Sequence, residues 1–301
     1  MGVILSYANP DMDSICSSVA YEYFLKTQGK NFRTVIFGKI SSDIKYVFDL
    51  AEYQLPNNKY VNGEKVILVD THHLSQLPHL NSYSDVIEVL DHHSAGDNFP
   101  HATIENVDLG AVATLIAEKI FKSNCMTKQI AILLSAAIIS NTNKFKAKST
   151  TSRDISVFEK LSKYFHFNDA TIEKILELRY DITESSADDL LQQDLKIFDT
   201  GGLRFGISQL EIYNATAIVS KIDFYSALKV LRKQAKLDYI CLNLVDTKNF
   251  VSFVIVEHQK TKDVLNKVFD LTLSDTTKFE RVLLRKTDFV PRINQIFGDN
   301  K

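Results

Sequence analysis

Short hydrophobic runs alternate with amphipathic segments along the first 180 residues of the chain. The runs predict four strands, at residues 3–7, 32–37, 65–69 and 86–90. The last two runs lack polar alternation, as expected of strands that are covered on both faces. Helical spacing predicts helices at residues 14–27, 41–51, 110–122, 127–140, 151–164 and 168–179. Asp13 or Ser14 is expected to cap the first helix and Ser41 the second. Strands that alternate with helices predict an α/β fold with a doubly wound parallel sheet.

The pattern changes after a polar segment at residues 181–193, which is interpreted as a linker or a short connecting helix. Beyond it, a helix is predicted at residues 224–236 and strands at residues 196–199, 204–210, 239–245 and 250–256. Gly201-Gly202 predicts a hairpin turn between the first two of these strands, and residues 247–249 are expected to join the last two. We therefore expect a first domain at residues 1–184, a linker at 185–193 and a smaller mixed α/β domain at 194–301.

Composition narrows the classes of protein that fit this pattern. A length of 301 residues favours two domains, and a net charge of −2 gives no overall attraction to nucleic acid or to a membrane surface. The three cysteines form no zinc spacing and no disulfide framework, so a reducing, cytoplasmic location is expected. No run of about 18 apolar residues predicts a membrane span. Gly2 and Ser6 match a loose myristoylation pattern, but a buried first strand is the preferred interpretation.

Acidic and histidine residues follow three of the predicted strands. They are Asp11 and Asp13 after the first, Asp70 after the third, and Asp91-His92-His93 after the fourth. Ligands bind beyond the carboxyl ends of strands in an open parallel sheet, so these side chains are expected to converge. Carboxylate and imidazole groups gathered there would hold divalent cations. Two such ions, roughly 3.5–4 Å apart, clamp the attacking and leaving oxygens of a phosphoryl transfer.

Each cluster taken alone also has a structural explanation. Asp11 and Asp13 could cap a helix, Asp70 could be an ordinary loop residue, and paired histidines often fill a surface or a core. Three clusters at successive strand ends are much harder to explain in this way and favour a functional site. The other histidines lack this context and are interpreted as structural or exposed: His72, His73, His79, His101, His166 and His258.

These segments resemble the signature of the DHH phosphoesterase superfamily, at residues 9–17 (NPDMDSICS), 67–70 (ILVD) and 91–93 (DHH). Later segments resemble family II, manganese-dependent inorganic pyrophosphatases, at residues 109–114, 134–140 and 145–146. Two segments of the second half, 194–196 and 284–286, resemble the DHHA2 domain of that family. The resemblance covers essentially the whole chain. Exopolyphosphatases and prune-type proteins share this architecture.

The resemblance implies a role for each matching residue. Asp11 would bind a first metal ion, Asp13 and His92 a second, and Asp70 would bridge the two. His93 would face the substrate as a hydrogen-bond donor or general acid. The implied cofactor is Mn²⁺, or Mg²⁺ or Co²⁺, with one or two ions per chain.

The second half would supply the phosphate grip, through Lys196, Arg285 and Lys286. The small phosphorylated substrate, pyrophosphate or a short polyphosphate, would lie in the cleft between the domains, whose closure would complete the site. A homodimer is a partner that the resemblance allows, and no nucleic acid or membrane is expected.

Two positions depart from the resemblance. Tyr7 stands where the pyrophosphatases have a histidine, and a neutral phenol is a poor metal ligand. Asn141 stands where they have an aspartate, and offers one neutral carbonyl oxygen. Fewer ligands and less negative charge predict weaker metal binding, and the loss of an imidazole weakens the preference for manganese. Asn141 is the more damaging change, because exopolyphosphatases and prune-type proteins also lack the first histidine.

Three functions remain open at this point. The first is metal-dependent hydrolysis of a phosphoanhydride, foremost inorganic pyrophosphate to two phosphates, with activity that Tyr7 and Asn141 could reduce. The second is an exopolyphosphatase or a nucleotide phosphodiesterase of the same superfamily. The third is a catalytically impaired paralogue that binds a phosphorylated ligand.

Overall fold

The computed structural model describes residues 2–77, 80, 85–93, 96–179, 182 and 185–298. The chain divides into two compact units, of which the first ends at Arg179. The predicted boundary at residue 184, part of the predicted connection and His79 lie outside the described residues. The division into a first domain at residues 1–184, a linker at 185–193 and a second domain at 194–301 therefore remains a prediction.

A five-stranded parallel sheet forms the centre of the first unit, in the order β2-β1-β3-β4-β5. Its strands are β1 Gly2–Leu5, β2 Phe32–Val35, β3 Lys65–Val69, β4 Val86–Asp91 and β5 Thr103–Asn106. Six helices accompany them: α1 Met12–Thr27, α2 Ser42–Leu50, α3 Val112–Lys122, α4 Lys128–Asn141, α5 Ser152–Leu161 and α6 Asp169–Arg179. The parallel sheet and the α/β class are as predicted.

Helix α4 is the core helix of the first unit. All residues from Ile130 to Ser140 are buried, because this helix is apolar on every side and its neighbours α1, α2, α3, α5 and α6 enclose it. The strands are buried as well, and Val3, Leu5 and Leu68 pack with Phe99 from a later loop. Strand ends β1, β3 and β4 are thereby fixed side by side, which sets the positions of the three predicted clusters.

The second unit contains a mixed five-stranded sheet in the order β10-β9-β8-β7-β6. Only β7 and β8 run parallel. The strands are β6 Leu195–Thr200, β7 Leu203–Ile212, β8 Tyr239–Asp246, β9 Val251–Ile255 and β10 Thr276–Phe279. Its helices are α7 Ala187–Gln193, α8 Phe224–Gln234, α9 Gln259–Phe269 and α10 Val290–Phe297, with a π-helical turn at Arg285–Phe289.

Two hydrophobic clusters sandwich this sheet. Leu191 of α7 and Leu228 of α8 belong to one cluster, and Leu265 of α9 and Ile293 of α10 to the other. The predicted hairpin at Gly201-Gly202 joins β6 to β7, with φ angles of 55° and 72° that glycine adopts readily. The mixed α/β class of the second unit is confirmed, although α9, β10 and α10 were not predicted.

Helix ends differ from the predictions by a few residues. Asp11, rather than Asp13 or Ser14, is the N-cap of α1, and its Oδ1 accepts from the Ser14 amide at 3.0 Å. Ser41 is the N-cap residue of α2 as predicted, without a side-chain cap hydrogen bond. Gly2 lies in the buried strand β1, which is the interpretation that the sequence favoured over myristoylation of Gly2. Within the described parts of the chain, every helix is too short or too polar to cross a membrane.

Candidate metal and phosphate site

The three clusters converge at the carboxyl ends of β1, β3 and β4. One ligand atom from each of Asp70, Asp91, His92 and His93 lies within 4.8 Å of the others. Asp70 adopts a left-handed backbone with φ of 64°, and its amide donates to the Leu90 carbonyl at 2.9 Å. An aspartate tolerates this conformation better than most residues, and such backbones concentrate at functional sites. The turn aims the Asp70 carboxylate across the end of the sheet toward His92.

Asp70 and His92 present two buried atoms to each other. Asp70 Oδ1 and His92 Nε2 lie 3.2 Å apart as a buried ion pair, and neither atom makes a regular hydrogen bond to another described residue. His92 Nδ1 lies 2.8 Å from the Leu109 carbonyl oxygen, to which it donates, so Nε2 is the nitrogen that a cation can reach. Asp70 Oδ2 is already engaged, because it accepts from the Ser14 hydroxyl at 2.5 Å.

The charges around His92 attract a cation. Burial opposes an imidazolium, but the carboxylates of Asp70 and Asp13 outweigh burial and raise the pKa of His92 to about 10. Burial likewise raises the pKa of Asp70. A divalent ion favours the ionised carboxylate and exchanges with the proton on the histidine, because metal ligands must be deprotonated. An imidazole nitrogen beside a carboxylate oxygen is a donor set that suits first-row divalent metals, so these residues fit such an ion.

Asp91 orients the exposed histidine of the cluster. Its Oδ1 accepts from His93 Nδ1 at 2.8 Å and from the His92 amide at 2.7 Å, and its Oδ2 contacts His72 Nδ1. Burial opposes ionisation, but these hydrogen bonds outweigh burial and hold the pKa of Asp91 below its usual range. The Asp91 contact in turn raises the pKa of His93, which is half exposed. His93 is therefore a half-exposed imidazole whose orientation is set by Asp91.

Asp13 has a different environment from Asp70. Its carboxylate is buried and accepts from the Ser17 hydroxyl at 3.1 Å and from the Val112 and Ala113 amides at 2.8 and 3.0 Å. The two amides are the first of α3, where an anion is favoured. His92 Nε2 is 3.8 Å from Asp13 Oδ2. The structure thus places Asp13 beside the cluster, as predicted, but with its own set of donors.

The two departing positions are filled by hydrogen-bonding groups. Asn141 Nδ2 donates to Asp13 Oδ2 at 3.2 Å and to the Gly110 carbonyl at 3.0 Å. The Tyr7 hydroxyl accepts from the Asp11 amide at 3.4 Å, and burial, with the charges of Asp11 and Asp70, raises the pKa of Tyr7 so that it stays a neutral phenol. Lys144, three residues beyond Asn141, pairs with Asp169 at 2.7 Å.

The predicted phosphate residues lie in the second unit. Lys196 on β6 and Lys286 in the π-helical turn are exposed. Arg285 is largely buried, and its Nη2 lies 2.9 Å from both carboxylate oxygens of Asp194. Its Nη1 donates to the Asp194 and Ile207 carbonyls at 2.6 and 3.2 Å. The Arg285 guanidinium therefore makes these contacts within the second unit, whereas the sequence predicted that it would bind phosphate.

Sequence reasoning did not connect three supporting groups to the site: the Ser14 hydroxyl, the Leu109 carbonyl and His72. His72 was expected to be structural or exposed, and it is buried against Asp91. Gly96 allows this packing, because a Cβ at that position would lie 2.5 Å from His72 Cδ2 and 2.6 Å from its carbonyl oxygen. A glycine that follows the DHH segment by three residues was the available signal.

Comparison with known proteins relates both halves of the chain to known domain families. The DHH family, N-terminal domain, matches residues 2–138, and the DHHA2 domain matches residues 173–296. A manganese-dependent inorganic pyrophosphatase of Methanothrix thermoacetophila is 29% identical, covering 98% of this chain and 97% of its own length. A protein of Archaeoglobus fulgidus named a probable manganese-dependent inorganic pyrophosphatase is 30% identical, over 98% of each chain.

Solved structures give the same relationship. A Methanococcus jannaschii protein assigned as a family II inorganic pyrophosphatase superposes with a TM-score of 0.65 at 26% identity, over 99% of each chain. An exopolyphosphatase-related protein of Bacteroides fragilis shares the fold, with a TM-score of 0.52 at 13% identity, over 97% of this chain and 91% of that one. With its DHH and DHHA2 domains and full-length relatives, the chain belongs to the family of manganese-dependent inorganic pyrophosphatases.

Proposed function

We propose that this protein hydrolyses a phosphoanhydride, inorganic pyrophosphate to two phosphates, with a divalent cation of which Mn²⁺ is the first candidate. The observation that carries the proposal is the buried ion pair of Asp70 Oδ1 with His92 Nε2, 3.2 Å apart, in a member of this family. A divalent cation would replace the His92 proton that lies between these two ligands, because metal ligands must be deprotonated. Pyrophosphate is proposed as the substrate because the related full-length proteins carry that activity in their names.

Asp70 and His92 would hold the ion, and Asp11 is the further acidic candidate nearby. A bound divalent cation polarises phosphoryl oxygens and acidifies water in its reach. Ser14 and the Leu109 carbonyl keep the two ligands oriented. Supporting hydrogen bonds of this kind typically contribute about 10–100-fold to metal affinity.

His93 is proposed to protonate the departing phosphate. Its Nδ1–H is held by Asp91, so the opposite edge of the ring is turned outward from this pair. The hydrogen bond to Asp91 raises the pKa of His93 and so favours the protonated ring that a general acid needs. The orientation of an imidazole by a buried carboxylate follows the same logic as in the hydrolytic triads.

Lys196 and Lys286 are proposed to supply positive charge to the phosphate oxygens. Both ammonium groups are exposed, as expected of flexible point charges for an anion. Arg285 is proposed to act through them, because it ties the start of β6 to the turn that carries Lys286. Its Nη1 donates to Ile207, the register partner of Lys196, and its Nη2 binds Asp194, two residues before Lys196.

The test is phosphate release from pyrophosphate by the purified, metal-free protein after addition of Mn²⁺, Mg²⁺ or Co²⁺. The matched control is Asp70→Asn, which keeps the shape of the side chain and removes its charge. We expect release with the wild type and at least ~100-fold less with the variant. Equal release from both proteins would refute the proposal. Preferential cleavage of tripolyphosphate or of a nucleotide diester would instead support the second function, and binding without turnover would support the third.

A further inference from the structure

Two polar side chains of the second sheet hold the backbone that leads into the π-helical turn. Asn243 Nδ2 donates to the Leu283 carbonyl at 2.8 Å, and Gln209 Oε1 accepts from the Arg285 amide at 2.8 Å. Gln209 on β7 and Asn243 on β8 are register partners, so the two side chains are neighbours. Asn243 is fully buried, whereas Gln209 is partly exposed.

The backbone groups fix which way both side-chain amides point. The Leu283 carbonyl can only accept, so the Asn243 atom that faces it is the donor Nδ2. The Arg285 amide can only donate, so the Gln209 atom that faces it is the acceptor Oε1. The second hydrogen of Asn243 Nδ2 goes to the same Gln209 Oε1, at 3.3 Å. Both lone pairs of Gln209 Oε1 are thereby used.

Gln209 Nε2 is the donor that these contacts leave over. Within the part of the chain that the structure describes, the hydrogen bonds of the Gln209 side chain all go to Oε1, and Nε2 donates to no residue. Because Oε1 is held twice, Nε2 points in a fixed direction from a partly exposed side chain. Asn243 Oδ1 stays buried without a hydrogen-bond partner among the described residues, which lowers stability. Stability alone therefore does not explain this pair of amides.

Gln209 lies next to both segments that carry the proposed phosphate residues. Its backbone amide donates to the Asp194 carbonyl at 3.3 Å, two residues before Lys196 on β6. Its side chain binds the amide of Arg285, which directly precedes Lys286. Gln209 therefore connects the start of β6 to the π-helical turn.

Resting on the proposed function, we propose that Gln209 contacts the pyrophosphate, with Nε2 donating to a phosphate oxygen while Lys196 and Lys286 supply the charge. A lysine is a flexible point charge, whereas an amide N–H of fixed direction selects where the accepting oxygen lies. The Arg285 guanidinium is already engaged within the second unit. The neutral amide of Gln209 is then the oriented phosphate donor on this unit.

The test is binding of imidodiphosphate, a pyrophosphate analogue that resists hydrolysis, to the full chain with Mn²⁺, followed by isothermal titration calorimetry. Gln209→Glu keeps an acceptor for both internal donors and removes the outward N–H, so a purely structural role predicts wild-type affinity. Gln209→Met removes the same donor without adding charge. We expect both variants to bind at least ~10-fold more weakly. Gln234→Glu, at the exposed end of α8, adds the same charge and is the control expected to bind like the wild type.

Wild-type affinity in either Gln209 variant, shown to be folded by circular dichroism, would overturn the inference. So would a loss in Gln209→Glu that disappears at about 1 M KCl, where charges more than roughly 3 Å apart are screened, because repulsion alone would explain it. Absence of binding by the wild type would also overturn it. A wild type that binds imidodiphosphate but leaves pyrophosphate intact would refute the proposed function and keep this inference. Hydrolysis with an unchanged KM in both variants would do the reverse.

Discussion

Arg285 allows a clear test of two roles: a residue can contact the phosphate itself, or it can support the residues that contact the phosphate. Its guanidinium makes four short contacts inside the second unit: two to the Asp194 carboxylate, one to the Asp194 carbonyl and one to Ile207. The Arg285 side chain is 10% exposed and Asp194 is 40% exposed. Replacement by lysine keeps the charge but loses the planar fork that makes these contacts together.

The cost of Arg285→Lys can be worked out from those contacts. Removal of one partner from a fully buried ion pair costs about 3–5 kcal/mol, and an exposed pair is worth about 0–1 kcal/mol. Because Asp194 is partly exposed, we expect about 2–3 kcal/mol of lost stability. At roughly 3–4 °C per kcal/mol for a unit of this size, the melting temperature of the second unit falls by about 6–12 °C. Loss of position at Lys196 and Lys286 should also raise KM for pyrophosphate.

The assay combines calorimetry of the phosphate-free protein with steady-state kinetics. Lys286→Ala is the matched control, because its exposed side chain predicts a change of stability within about 0.5 kcal/mol together with a raised KM. An Arg285→Lys protein with wild-type stability and a raised KM would refute the reasoning, since that result is expected of an arginine that only contacts the substrate.

Three further predictions concern the first unit. Mn²⁺ must displace the proton on His92, whose pKa is about 10, so the apparent affinity for Mn²⁺ should rise about tenfold per pH unit between pH 6 and 8. Calorimetry in two buffers should detect one released proton. An Mn²⁺ affinity that does not change with pH would contradict this. Asp91→Asn removes the contact that raises the pKa of His93, so the basic limb of the kcat/KM profile should move to lower pH; an unmoved limb would exclude His93 as the acid. Gly96→Ala should cost about 1–3 kcal/mol in urea unfolding, because its Cβ would lie 2.5 Å from His72; an unchanged midpoint would refute the packing argument.

The fold was predictable where burial of a strand produces an uninterrupted apolar run in the sequence. Strand β3, Lys65–Val69, agrees with its prediction to the residue, because an apolar run bounded by polar residues is unambiguous. Strand β5, Thr103–Asn106, was missed, because a short edge strand with mostly exposed side chains carries no hydrophobic period. Asp11 was weighed as a cap, but Asp13 or Ser14 was expected at the N-cap of α1, since all three are good caps and only backbone geometry separates them.

The residues of the candidate site were predictable from the sequence, but the hydrogen bonds between their side chains were not. The order of strands brings Asp70 and His92 together, and that follows from the parallel sheet. The donation from Asn141 to Asp13 spans 128 residues, and the bidentate pair of Arg285 with Asp194 spans 91. Such contacts depend on side-chain orientation in the folded chain, for which residue type and spacing give no signal. The first contact supplies a donor to the Asp13 carboxylate in the first unit, and the second pairs Arg285 within the second unit.

A cation held by Asp70 and His92 is proposed to drive pyrophosphate hydrolysis. The most direct test is one titration of Mn²⁺ into the metal-free protein, in which bound Mn²⁺ is followed by electron paramagnetic resonance and phosphate release is measured on the same samples. We expect hydrolysis to rise in proportion to bound Mn²⁺ and both to be lost together in His92→Gln. Undiminished hydrolysis by a His92→Gln protein that binds no Mn²⁺ would contradict it.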